Sequence, residues 1–202
     1  MEARPMKHAV IFAHPKPDSF TATIAQTYAQ AARDLGHEVV VRDLYGLGFD
    51  PCLKAAELPG PGGYAPAADV KAERAVLQDV DVFAFVYPLW FNAPPAILKG
   101  YVDRVLSMGF GYEPGPMGVE SRLDGRRLIS FSSSGAPEDW VRDTGALSAL
   151  STLFDRHLAG VCGLIVVDHV HFGEVVPNLT EEWVETHRAK VRETVRAQFG
   201  QS

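Results

Sequence analysis

Asp81-Val-Phe-Ala-Phe-Val-Tyr87 runs without a break into Pro88-Leu-Trp-Phe-Asn-Ala-Pro-Pro95. Val82 to Tyr87 are apolar in succession, so residues 81–87 do not alternate as a one-faced strand would. The run predicts a strand covered on both faces, as in a parallel sheet held between layers of helix. The Pro94-Pro95 pair ends the extended chain and opens a helix that should run to about Leu106.

The same alternation of short apolar runs and amphipathic segments continues in both directions. Upstream, residues 8–13 predict a buried strand, and 20–35 a helix with Ile24, Tyr28, Ala31 and Leu35 on one face and Gly36 as its stop. Residues 38–44 predict a second strand and 69–78 a helix. Between them, Pro59-Gly-Pro-Gly-Gly-Tyr-Ala-Pro66 fits no regular element and predicts a mobile loop, with the 54–68 segment readable as a lid or as disorder. Downstream, 109–118 is irregular and 127–132 a fourth strand. A helix is expected over 144–158, a fifth strand over 163–170, and a last helix over 180–199, which opens on Thr180-Glu-Glu, a good cap with acidic first-turn residues. Five strands separated by helices predict one α/β domain over residues 1–202.

Composition narrows the partners. The 202 residues are 47% hydrophobic and carry a net charge of −6. A chain of this length buries roughly 70% of its unfolded surface, so neither metal nor disulfide is needed for stability. The acidic balance argues against nucleic acid and against anionic membranes. Cys52 and Cys162 stand alone, outside any disulfide or zinc-ligand spacing. Asp81 and Pro88 interrupt the most apolar stretch, Val80 to Phe91, so no transmembrane segment is expected. The N-terminus has no apolar signal region, and the expected location is cytoplasmic.

In a sheet of this kind ligands bind beyond the carboxyl ends of the strands, where the strand order reverses. Three loops there carry complementary chemistry. Ala13-His-Pro-Lys-Pro-Asp-Ser-Phe20 ends at a helix N-terminus, whose free amides favour a phosphate, or simply a helix capped by Ser19. It holds no G-x-G-x-x-G and no P-loop. Trp90 and Phe91 directly follow the central strand and suit a flat π-system, a partner subunit, or packing beneath the next helix. Ser132-Ser-Ser-Gly-Ala-Pro137 offers hydrogen-bond donors to the edge of a heterocycle. Phosphate, ring and ring edge together describe a flavin nucleotide.

Ala13-His14-Pro15, Ser19-Phe20, Asp43-Leu44-Tyr45 with Phe49-Asp50-Pro51, Pro88-Leu89-Trp90-Phe91, Pro95 to Val105, Gly109-Phe-Gly-Tyr112, Ser132 to Gly135 and Cys162-Gly163 give a likeness over about residues 7–170. On these motifs the chain resembles the flavodoxin-like family of NAD(P)H:quinone oxidoreductases, which includes DT-diaphorase-type enzymes and bacterial relatives. The resemblance implies a three-layer flavodoxin-like sandwich with strand order 2-1-3-4-5. It also implies a homodimer with the active site at the interface, a bound FAD (alternatively FMN), and ping-pong hydride transfer from NAD(P)H to a quinone. By position it places His14, Ser19, Phe20 and Thr21 at the flavin phosphates and Pro88, Leu89, Trp90 and Phe91 along the ring. Ser132, Ser133 and Gly135 fall at the ring's polar edge. Phe110 and Tyr112 would close the substrate pocket from the partner chain, with Trp140 nearby. No metal is expected.

Two other readings share the scaffold: an FMN-dependent azo- or nitroreductase, and a non-catalytic electron carrier or regulatory subunit of a membrane transporter. His169 and His171 alternate on the last strand without a carboxylate or thiol at ligand spacing, and a structural or pocket-lining role is expected of them.

Overall fold

The computed structural model describes residues 4–61, 63–116 and 118–200. Its centre is a parallel sheet of five strands: β1 (Lys7–Phe12), β2 (Glu38–Asp43), β3 (Val82–Pro88), β6 (Arg127–Ser133) and β7 (Ile165–Phe172), in the order β2-β1-β3-β6-β7. Numbered among themselves, the sheet strands run 2-1-3-4-5, the expected flavodoxin-like order. Every residue of β3 is buried, as its unbroken apolar run requires. The chain steps outward from β1 to β2 and then back across to β3, so the order reverses between β1 and β3. The loops that leave those two strands flank the crevice where such sheets bind ligands.

Helices cover both faces. On one, α1 (Phe20–Asp34) and α7 (Glu181–Phe199) enclose Val10, Ala84, Ile129 and Phe131. On the other, α2 (Ala68–Leu77), α3 (Ala96–Val105) and the helical stretch before β7 enclose Ile11, Phe83, Phe85 and Leu128. Gly100 lets α3 lie directly on the chain after β2: a Cβ there would stand 2.2 Å from the Pro51 carbonyl oxygen. Among the described residues, no helix is long and apolar enough to cross a membrane.

The structure departs from the sequence reading in three places. The helix expected over 144–158 is three pieces, α5 (Ala146–Leu150), a π-helical turn (Ser151–Arg156) and α6 (His157–Cys162), and a separate short helix, α4 (Glu138–Asp143), precedes it. Gly145, at φ 76°, parts α4 from α5. Gly163 ends α6 in the left-handed region, which delays the last strand from 163–170 to 165–172. The stretch read as irregular over 109–118 enters an antiparallel hairpin, β4 (Tyr112–Gly115) with β5 (Gly118–Ser121).

Candidate functional site

The three loops singled out in the sequence meet at the carboxyl edge of the sheet. Ser19 caps α1 by accepting from the Ala22 amide at 3.2 Å. The amides of Phe20 and Thr21 have no partner among the described residues and stay open at the helix N-terminus. His14 Nδ1 accepts from the Lys16 amide at 3.0 Å, which shapes the loop and leaves Nε2 outward. The Phe20 ring packs with Phe172, Trp183 and His187, and Phe20 lines a small cavity at this edge with Thr21, Tyr87, Ser132 and Ser133.

The second loop is a two-residue hairpin. Trp90 and Ala93 exchange both backbone hydrogen bonds, at 3.0 and 3.2 Å, across Phe91 and Asn92, which sit at φ 50° and 55°. Positive φ at both central positions is what a type I′ turn demands, and a phenylalanine meets that demand only under strain. The turn holds the Phe91 ring wholly in solvent and Trp90 at 43% exposure. The Trp90 ring centroid lies 6.2 Å from that of His14, joining the first loop to the second. The Leu89 amide donates to the Ser133 carbonyl at 2.6 Å, joining the second to the third. Asn92 Nδ2 reaches the Ala146 carbonyl at 3.1 Å.

In the third loop Ser132 is only 1% exposed. Its hydroxyl is taken up between His169 Nε2 and His171 Nδ1, at 2.7 and 2.8 Å, so it faces inward from the loop. Ser133, Ser134 and Gly135 carry the edge that is left. The histidine pair expected to be structural or pocket-lining thus belongs to a buried polar chain that also includes Asp155, 0% exposed. Sequence reading missed Asp155, which lies in the π-helical turn. Its one signal was the matched alternation of Ser130 and Ser132 with His169 and His171 on neighbouring strands.

Of the three expected pocket residues, Trp140 stands apart from the other two. Trp140 on α4 is exposed, on the helix that follows the third loop. Phe110 and Tyr112 lie at the other end of the sheet. Phe110 shares a groove with Gln78 and Arg126, which precede β3 and β6. Tyr112 shares one with Cys162, which precedes β7. Within one chain these two do not join the carboxyl-edge loops.

The comparisons agree with this architecture. A family model described as flavodoxin-like fold matches residues 6–195. A Haemophilus influenzae protein named as an uncharacterized NAD(P)H oxidoreductase is 34% identical over 171 residues, covering 84% of this chain and 85% of that protein. Rat ribosyldihydronicotinamide dehydrogenase (quinone) is 29% identical over 154 residues, 67% of each chain. Among solved structures, the NAD(P)H:quinone oxidoreductase from Methanothermobacter marburgensis superposes with a TM-score of 0.85 at 26% identity, over 96% of both chains. The chain belongs to the flavodoxin-like fold family, together with these NAD(P)H oxidoreductases and quinone dehydrogenases.

Proposed function

We propose that the protein is a flavin-dependent NAD(P)H oxidoreductase that delivers two electrons, as a hydride, to a quinone or a similar electrophile. The observation that carries this reading is the meeting, at one sheet edge, of open α1 amides, an exposed Trp90 plate and a donor-bearing serine–glycine loop. The names of the relatives point the same way.

The residues present fit a flavin nucleotide. The Phe20 and Thr21 amides, with His14 and Lys16 beside them, suit its phosphate end, because a helix N-terminus presents N–H groups and a positive dipole. Pro88, Leu89, Trp90 and Phe91 suit the flat ring, and Ser133 and Gly135 its polar edge. The bound flavin would be FAD, or FMN in the alternative, and it would supply hydride acceptance and return. The chain's part is to hold the ring, exclude water from one face, and aim dipoles at the edge where negative charge gathers. One opening then serves the nicotinamide and the acceptor in turn, which is ping-pong behaviour.

Phe110 and Tyr112 extend the proposal to assembly. They lie at the sheet end away from the three loops, so they can close a flavin site only in a second copy of the chain. A homodimer is expected, with twice the chain mass in light scattering. Two unpaired cysteines, Cys52 exposed and Cys162 buried, suit a cytoplasmic setting.

The test is the visible spectrum after incubation with FAD or FMN and desalting. A retained band near about 450 nm that bleaches with anaerobic NADPH or NADH supports the reading, since that chromophore is the cofactor's own. The nucleotide released on denaturation identifies it. Retention without bleaching would instead favour the carrier or regulatory-subunit reading.

A further inference from the structure

Behind the third loop lies a chain of polar side chains for which flavin binding has no use. Asp155 Oδ1 accepts from Ser130 Oγ at 2.7 Å, and its Oδ2 meets His169 Nδ1 at 2.5 Å. His169 Nε2 is 2.7 Å from Ser132 Oγ, which is 2.8 Å from His171 Nδ1. His171 Nε2 is 3.1 Å from Ser134 Oγ, and that hydroxyl is 3.2 Å from the Ala136 carbonyl oxygen. The series runs unbroken from a fully buried carboxylate to the sheet's carboxyl edge.

Counting protons limits what this series can do. The Asp155 carboxylate only accepts, so His169 Nδ1 carries a hydrogen. With His169 neutral, its Nε2 takes the Ser132 hydroxyl proton, Ser132 Oγ accepts from His171 Nδ1–H, and His171 Nε2 accepts from Ser134. With His169 doubly protonated, every one of these bonds reverses. His169 Nε2–H donates to Ser132, Ser132 to His171 Nδ1, His171 Nε2–H to Ser134, and Ser134 to the Ala136 carbonyl. Both arrangements satisfy all the ring nitrogens, and they differ by one proton. His171 is neutral in both but changes tautomer. Burial, reinforced by the neighbouring His169, pushes its ring down to about 4, which keeps it a conduit and not a store.

We propose that Asp155, His169, Ser132, His171 and Ser134 form a proton relay that holds a proton on His169 and releases it at the Ser134 hydroxyl. The choice of recipient rests on the oxidoreductase reading: a quinone that receives a hydride needs one further proton to become a neutral quinol. In delivery, the His169 Nε2 proton passes to Ser132 Oγ as the Ser132 proton passes to His171 Nδ1. The His171 Nε2 proton passes to Ser134 Oγ, and the Ser134 proton goes to the oxygen of the reduced acceptor. His169 is left neutral beside the Asp155 carboxylate.

Water then recharges His169 through two grooves that both reach it. One, of about 510 Å³, is lined by Glu138, Asp168, His171, His187 and Lys190 among others. The other, of about 300 Å³, includes Arg142 and Arg156. With Asp155, and with Tyr87 of β3, whose ring centroid is 6.4 Å from that of His169, these are the titratable and charged groups that face the relay. Asp155 and His169 act through Ser132 and His171 and are positioning residues.

Nitrogen-15 NMR of labelled histidines in the full chain, as purified, tests the relay without any cofactor. As the pH is lowered through the titration of His169, His171 should change from the Nδ1–H to the Nε2–H tautomer in step while staying neutral. In Ser132→Ala the two rings should lose this coupling. A His171 tautomer that stays fixed while His169 titrates overturns the proposal. In the flavin-loaded protein, His169→Gln should keep its flavin yet lose the acidic group from the pH profile of kcat, with turnover falling about 100-fold, the usual scale for losing a general acid. A profile identical to the parent's also overturns the proposal. If no flavin is retained, the oxidoreductase reading fails, while the tautomer change still decides whether the relay exists.

Discussion

Arg104 grips Glu57 through Nη2 at 2.9 Å and Nε at 3.1 Å, with both side chains no more than 5% exposed. The same guanidinium bonds Asp69 at 2.7 Å and the Asp50 carbonyl at 2.5 Å. One residue of α3 thereby fastens the chain from 50 to 69 to the body of the protein. Within it, the sequence reads residues 59–66 as a mobile loop and 54–68 as a lid or as disorder. Removing one partner of a buried pair leaves the other charge uncompensated, so Glu57→Ala should cost about 3 kcal/mol. For a chain of this size that is a fall of about 6–12 °C in Tm. Glu57→Leu combined with Arg104→Met should recover much of the loss. A thermal melt of Glu57→Ala within a degree of the parent would mean that the clasp contributes nothing.

Acid should loosen the fold through His8. It is 0% exposed, its Nδ1 is 2.8 Å from the Tyr28 hydroxyl, and its Nε2 has no partner among the described residues. Burial first, and the neighbouring His37 second, push its ring from the ordinary 6.5 down to about 3. The unfolded chain takes up this proton before the folded one does. Its contribution is therefore whole above pH 6.5 and is lost as the pH falls from there toward 3, by about 1.4 kcal/mol per unit in that window. Urea unfolding at pH 7 and pH 5 should show the decline. Replacing His8 and Tyr28 together by Phe, which leaves no orphaned hydroxyl, should shrink the difference by about 2 kcal/mol. An unchanged difference would place the acid sensitivity elsewhere.

What could be read in advance divides along a physical line. Local signals placed β1, β2 and β3 within a residue of their observed ends: β1 and β3 are buried apolar runs, and β2, a partly exposed edge strand, shows itself by the β-branched run Val39-Val-Val41. Topology then put the three loops at one edge, because strands joined by crossover helices point the same way. Features that depend on distant partners were hidden. Glu57 looks like a loop glutamate until Arg104, 47 positions on, is seen beside it. Asp155 looks like a helix-surface aspartate until the π-helical turn is seen to bury it against His169. The 144–158 stretch reads as one helix, yet the π-helical turn Ser151–Arg156 divides it and the left-handed Gly145 sets α4 off before it. The β4–β5 hairpin is four residues to a strand and holds Pro114 and Gly115, too short and too broken for periodicity to reveal.

Phe91 is held at φ 50° with its ring in solvent, an arrangement that costs a non-glycine residue about 1–2 kcal/mol. Strain of this kind persists where the ring has work to do. Phe91→Gly should relieve the backbone and raise Tm by about 1–3 °C, the yield of up to about 1 kcal/mol in a chain this long. In the flavin-loaded protein it should also raise KM for the acceptor, because the exposed ring borders the opening. A variant with lower stability and unaltered KM would show that the ring packs against the fold and leaves the opening alone.

Trp90 stands between the first loop and the strained turn, its ring near His14 and 43% exposed. If its face carries the flat ring of a flavin, Trp90→Ala forfeits a stacking contact worth about 1 kcal/mol beyond the apolar area lost. Flavin affinity should then weaken by about tenfold or more. Trp90→Phe keeps a smaller plate and should recover part of that loss. Titration of the two variants with flavin, followed by quenching of flavin emission, separates the outcomes. A graded series, parent above Trp90→Phe above Trp90→Ala, marks a stacking residue. Equal affinity in all three would take Trp90 out of the site and leave the open amides of α1 as the stronger anchor.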